Sequence, residues 1–140
     1  MQAGRLELRP FTPDYLTQYN DIDIIFDTAP YNGDLTTCDA LYMGVPVVTL
    51  RGKTHGSRYG ASILTAAGLP ELVANSPREY VAKAVQLATN GILLNKLHRD
   101  LPEMMRNSRL MDGKAYMQDL ETAYKKIWQH YCSGSLLPIK

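Results

Sequence analysis

The stretch Phe26–Pro46, FDTAPYNGDLTTCDALYMGVP, decides the fold of this chain. Its lead-in, DIDIIFD from Asp21 to Asp27, is long and apolar enough for one buried strand. A loop holding Pro30, Asn32 and Gly33 follows, and then Thr36, Thr37, Cys38 and Asp39 open a helical run that stops at Gly44. A strand, a glycine-containing turn and a helix N-terminus, in that order, turn backbone N–H groups toward one point where an anion can be held.

Outward from that stretch, Val45-Pro46-Val47-Val48-Thr49-Leu50 reads as a second buried strand with Pro46 at its beginning, where proline is tolerated. Upstream, RLELR (Arg5 to Arg9) alternates apolar and charged residues and reads as a short strand at an edge or in a partly covered position. Thr12 as N-cap and Pro13 at the first helical position predict a short helix to Asn20. Downstream, Arg51 to Ser57 is a polar loop, and a helix from Ser57 to Ala67 is stopped by Gly68 and Pro70. Leu72-Val73-Ala74 is a brief further strand.

Ser76 or Asn75 caps the next helix, with Pro77 first in it, Glu79 completing a capping box, and an end at Asn90-Gly91. Ile92 to Met105 is helical in pattern, and Pro102 predicts a kink or a split there. Asp112 caps a last helix, Gly113 to Tyr131, whose apolar stripe is Met117, Leu120, Tyr124, Ile127, Trp128 and Tyr131. These aromatic residues read as core rather than as a ligand platform, and the stripe is broad enough to pack against another domain. Residues 1–133 form the expected domain, and 134–140 a frayed C-terminal tail. The alternation of four strands with helices makes the class α/β, with a parallel sheet and right-handed crossovers. Ligands of such sheets bind beyond the carboxyl ends of the strands, here the loops after Phe26, Leu50 and Ala74.

A chain of 140 residues with 45% hydrophobic and 21% charged residues has ordinary globular composition and room for one core. The net charge of +1 supplies no global field for nucleic acid or an anionic membrane, so neither is an expected partner. Cys38 and Cys132 match no metal or CxxC spacing and read as reduced thiols. The first ten residues are polar and charged, and no apolar run approaches the roughly 20 residues that cross a bilayer. A soluble, cytoplasmic protein is expected.

Two readings compete at the organising loop. In one, Thr36 is an N-cap and Asp39 closes a capping box. In the other, the first-turn N–H groups bind a pyrophosphate, the threonine hydroxyls assist, and Asp39 accepts from ribose hydroxyls, a carboxylate offering a diol two acceptor oxygens. No GxGxxG fingerprint is present. In the loop Gly52-Lys53-Thr54-His55-Gly56-Ser57-Arg58, His55 and Arg58 are either solvated or donors to a phosphate or sugar, and Ser57 is a helix cap facing the same anion. Asp27 either faces the cleft or caps the loop. No Ser-His-Asp order, metal cluster or carboxylate pair emerges, so catalytic residues are not assigned and no metal is expected.

The run from DIDIIFDTAPYNGDLTTCDALYMGVPVVTL through RGKTHGSRYGASILTAAGLPELVA closely resembles the carboxyl-terminal half of the O-linked N-acetylglucosamine transferases, the Spindly-like branch in particular, and the likeness extends from RLELRPFTPDYL to YKKIWQHY. The resemblance implies a Rossmann-like parallel sheet flanked by helices, the C-terminal lobe of a two-domain GT-B glycosyltransferase that works without metal. It implies a UDP-sugar donor substrate rather than a cofactor, a protein acceptor, and partners in an N-terminal catalytic lobe and tetratricopeptide repeats. Carried across residue by residue, the phosphate-contacting turn falls at Leu35, Thr36 and Thr37, next to Asn32 and Gly33, and the ribose-binding acid on Asp39. The family's NGHTTGMD-type histidine is Asp34 here, its uracil-side histidine aligns near Tyr15, and a lysine of that segment aligns near Thr12. These three positions depart from the family pattern.

The resulting expectation is a UDP-GlcNAc-type binding lobe of a protein O-glycosyltransferase, inactive alone because the facing lobe positions the acceptor. Two alternatives stay open: a stand-alone nucleotide-binding or partner-docking module without catalysis, and an epimerase-like or lipid-directed relative. Apolar surface left bare by the absent lobe makes self-association an expected behaviour.

Overall fold

The computed structural model describes residues 3–134. Three short strands, β1 (Ile25–Phe26), β2 (Val47–Leu50) and β3 (Val73–Ala74), form a parallel sheet in the order β1-β2-β3. Ile25 lies opposite Val47, and Thr49 opposite Val73. Five α-helices accompany them: α1 (Leu35–Tyr42), α2 (Tyr59–Ala66), α3 (Pro77–Thr89), α4 (Gly91–Arg106) and α5 (Gly113–Cys132).

β2 is the axis of the core. Val47, Val48 and Thr49 are fully buried, and Leu41, Leu64, Leu69, Leu87 and Leu101 close around them. Helices α2 and α3 pack on β2 and β3, while α4 packs on α1 and α3. Burying each such aliphatic side chain is worth about 1.5–3 kcal/mol, which lets so small a sheet persist. Pro46 sits just before β2, where its missing N–H costs nothing and its carbonyl accepts from Ile25 N–H at 3.0 Å.

The helix stops behave as their glycines require: Gly44 and Gly68 adopt φ of 85° and 82°. Ser76 caps α3 by accepting from Glu79 N–H at 3.2 Å, and the Glu79 carboxylate reaches back to Asn75 N–H at 2.8 Å. Asp112 caps α5 through Ala115 N–H at 2.9 Å.

Four expectations are corrected. RLELR is not a strand: after a 3-10 turn at Ala3–Arg5 it is irregular, with Leu6 and Leu8 exposed and Arg9 paired to Glu7 and Asp21. No neighbouring strand offers it a ladder, and an unpaired strand does not hold. The sheet therefore has three strands and not four.

The helix after Pro13 is a 3-10 helix, Tyr15–Asp21, with Asp14 rather than Thr12 at its cap. Thr12 Oγ1 instead accepts from Gln18 Nε2. Pro102 does not split α4, which continues to Arg106. The carbonyl that Pro102 leaves without its helical donor, that of His98, meets the end of α1: a Cβ on Gly44 would lie 2.8 Å from that oxygen.

The stripe of α5 is not core. No residue of that helix is buried, and Tyr124, Ile127, Trp128 and Tyr131 are exposed. Of the expected tail, Gly134 is a turn residue and 135–140 lie outside the described residues. Cys38 and Cys132 are free thiols. Among the described residues, no helix is long and apolar enough to cross a membrane and no group of His, Cys, Asp and Glu could hold a metal.

Candidate functional site

The loop between β1 and α1 is set by Asp27, at the carboxyl end of the first strand segment. Its Oδ1 accepts from Gly33 N–H at 2.6 Å, its Oδ2 from Thr49 Oγ1 at 2.5 Å, and its backbone carbonyl from Tyr80 Oη at 3.0 Å. Asp27 thus caps the loop, one of the two roles open to it. Asn32 ties the loop to its neighbour: its N–H donates to Gly56 O at 3.1 Å and its Nδ2 to Thr28 O at 3.2 Å. Gly33 packs closely on the helix start: a Cβ there would come 2.7 Å from Thr36 Oγ1 and 2.8 Å from Thr37 Oγ1 and would have to push those hydroxyls aside.

Burial pushes the Asp27 carboxyl up, while the Thr49 and Gly33 hydrogen bonds oppose the rise. A raised folded-state value means the folded protein holds its proton where the unfolded chain has already lost it. The stability this group confers is therefore greatest below the unfolded value, about 3.9, and is lost as pH rises through the folded value. Urea denaturation of the parent and of Asp27→Asn checks the sign. The parent should gain on the variant as pH falls from 7 toward 4, and a constant difference would contradict it.

The helix that follows begins at Leu35 with Asp34 as its cap residue, and no side chain fills the cap. The reading with Thr36 as N-cap and Asp39 closing its box is thereby overturned: Thr36 is the second residue of α1, and Asp39 is turned to Tyr15 instead. Thr37 N–H and Cys38 N–H reach back to Asp34 O, whereas Leu35 and Thr36 N–H have no partner among the described residues. Neither threonine hydroxyl is engaged there. Gly33, Thr36 and Thr37 line a hollow of 140 Å³ with Tyr19, Phe26, Asp27 and Thr28. That is well below the roughly 300–1,000 Å³ of a whole small-molecule site, so it has room for one end of a ligand only.

Beside the hollow, Tyr15 Oη donates to Asp39 Oδ2 at 3.1 Å, and Tyr15 stacks on exposed Phe11 at 6.4 Å between ring centroids. The hydrogen bond to Asp39 pushes the Tyr15 phenol up, and burial followed by the Asp39 charge does the same to Tyr19. Leu35 and Asp34 are exposed, and Asn32 is buried with its Oδ1 unpartnered.

His55 and Arg58 do not line this hollow but a neighbouring one. They line a larger cleft of 830 Å³ along α2 with Arg51, Lys53, Tyr59 and Arg109. Ser57 does not cap α2: its hydroxyl is folded into the loop against Thr54 N, O and Oγ1. The ten sequence candidates therefore divide into eight around the α1 tip and two in the cleft. Reading the sequence missed Tyr19, Thr28, Arg51 and Arg109. Thr49 was the available signal for the Asp27 contact, being the polar residue within an apolar strand.

A family profile described as Glycosyl transferase family 41 matches residues 16–120. The chain is 42% identical over 139 residues to a protein of Eustoma exaltatum subsp. russellianum named probable UDP-N-acetylglucosamine--peptide N-acetylglucosaminyltransferase SPINDLY, covering 97% of this chain and 15% of that protein. The likewise named Arabidopsis thaliana protein is 40% identical over the same shares. A Caenorhabditis elegans UDP-N-acetylglucosamine--peptide N-acetylglucosaminyltransferase is 38% identical over 112 residues, 80% of this chain and 10% of that protein. Among solved structures, a mutant O-GlcNAc transferase of Thermobaculum terrenum superposes with a TM-score of 0.81 at 38% identity, covering 89% of this chain and 24% of that one. The chain spans about 15% of the length of the curated plant relatives it matches.

Proposed function

Since this chain belongs to glycosyl transferase family 41 and has the α/β fold of a GT-B C-terminal lobe, we propose that it binds the nucleotide diphosphate of a UDP-sugar at the tip of α1. The observation that carries this reading is the pair of unpartnered amides at Leu35 and Thr36, opening beside two unengaged threonine hydroxyls. A diphosphate accepts from all four and is favoured by the positive end of the helix dipole. Asp39, half-buried and already oriented by Tyr15, keeps a second carboxylate oxygen for the ribose hydroxyls. The Phe11–Tyr15 pair offers the base an aromatic face.

Transfer itself needs more than this chain. The hollow has space for one end of the donor, and the hexose and the protein acceptor need a facing lobe. The bare stripe of α5 fits such a neighbour. In that complex, charge developing on the departing UDP would be stabilised by the α1 amides, which require no reorganisation. The chain alone is inactive in this reading.

Calorimetric titration with UDP, UDP-GlcNAc and ADP tests it. UDP and UDP-GlcNAc should bind and ADP should bind more weakly. No heat from any of the three would leave a partner-docking module without a nucleotide site.

A further inference from the structure

We propose that the cleft along α2 is a docking groove for an acidic polypeptide segment. Arg51, Lys53, Arg58 and Arg109 converge on it with His55, and no carboxylate is among the residues that line it. Arg51, Lys53 and Arg58 have no ion-pair partner among the described residues, so their charge is open to a ligand. Arg109 does pair with Asp119, at 3.3 Å, but both side chains are exposed and exchange partners at little cost. The chain as a whole carries only +1, so this concentration of charge is local and not a product of composition.

Shape separates the occupants. A volume of 830 Å³ takes several residues of extended chain, and its floor mixes apolar Ala61, Ala66 and Tyr59 with the hydroxyls of Ser62 and Thr65. A lone phosphate would need convergent short-range donors, yet the Ser57 hydroxyl and Thr54 N–H at the loop are spent on each other. Nucleic acid is drawn by an excess of positive charge over the molecule, and the chain carries a net charge of only +1.

The groove also adjoins the α1 tip. Asn32 N–H donates to Gly56 O, the Tyr31 and Tyr59 rings meet edge-on at 6.2 Å, and His55 meets Tyr59 at 4.9 Å. A segment seated there lies beside the site proposed for the donor. The groove rests on its own charge and shape, so it stands or falls separately from nucleotide binding.

Fluorescence anisotropy on the full 140-residue chain tests this with two labelled peptides identical except for four Glu replaced by Gln. The Glu peptide should bind about tenfold tighter at low salt, the sum of several exposed ion pairs, and lose that margin as salt is raised. Lys53→Glu combined with Arg109→Glu, both on exposed side chains, should abolish the preference while the thermal unfolding midpoint stays in place. Equal binding of the two peptides, a preference that survives the double variant, or tighter binding of a single-stranded oligonucleotide of equal charge would each overturn the proposal.

Discussion

Gly60→Ala should cost about 3–5 kcal/mol of stability, a large part of the 5–15 kcal/mol that holds a domain together. Gly60 lies in the first turn of α2 against the carboxyl end of β2. A Cβ there would fall on Asp27 Oδ2 and Thr49 Oγ1, and 3.0 Å from Thr49 Cβ. Neither neighbour can yield, because Thr49 is fully buried within β2 and Asp27 is fixed by Gly33 N–H. Overpacking alone costs about 1–3 kcal/mol, and breaking a buried hydrogen bond to a carboxylate adds about 1.5–3. Urea denaturation measures the loss. Gly91→Ala is the control: it opens α4, and its Cβ would meet nothing within 4 Å. It should be neutral or slightly stabilising, and a Gly60→Ala protein as stable as that control would refute the Asp27–Thr49–Gly60 packing.

Asp39→Ala should weaken UDP by about 1–3 kcal/mol, roughly 5- to 150-fold in affinity, through loss of charge-assisted hydrogen bonds to the ribose. Only one of its oxygens is engaged by the protein, through Tyr15, and the side chain sits on the outward turn of α1 with no core role. The fold should survive the change, so calorimetry reads binding and not unfolding. Unaltered UDP affinity would take Asp39 out of the site.

The elements legible in the sequence were those whose local signals agreed with their packing. The apolar run into β2, the Ser76-Pro77-Glu79 start of α3 and the glycine stops at Gly44 and Gly68 each carry their own reason, and each is where the residues put it. RLELR failed because strand periodicity says nothing about whether a partner strand exists. The α5 stripe failed for a related reason: apolar spacing marks a face that wants covering, and does not say that this chain covers it.

At the site, glycine and threonine spacing located the α1 tip. The Thr36–Asp39 spacing, however, matched a capping box as well, and the structure shows only that Asp39 closes no such box and accepts from Tyr15 instead. The placing of His55 and Arg58 in a neighbouring hollow is a matter of how the second loop folds on Ser57, which no local pattern displays.

In the proposed site, the two open amides at the start of α1 receive a diphosphate. Amide chemical shifts of the labelled protein, followed through a UDP titration, address it most directly. Leu35 and Thr36 should move furthest, with Gly33 and Asp39 beside them. Shifts confined to the 51–58 loop, or none at all, would contradict it.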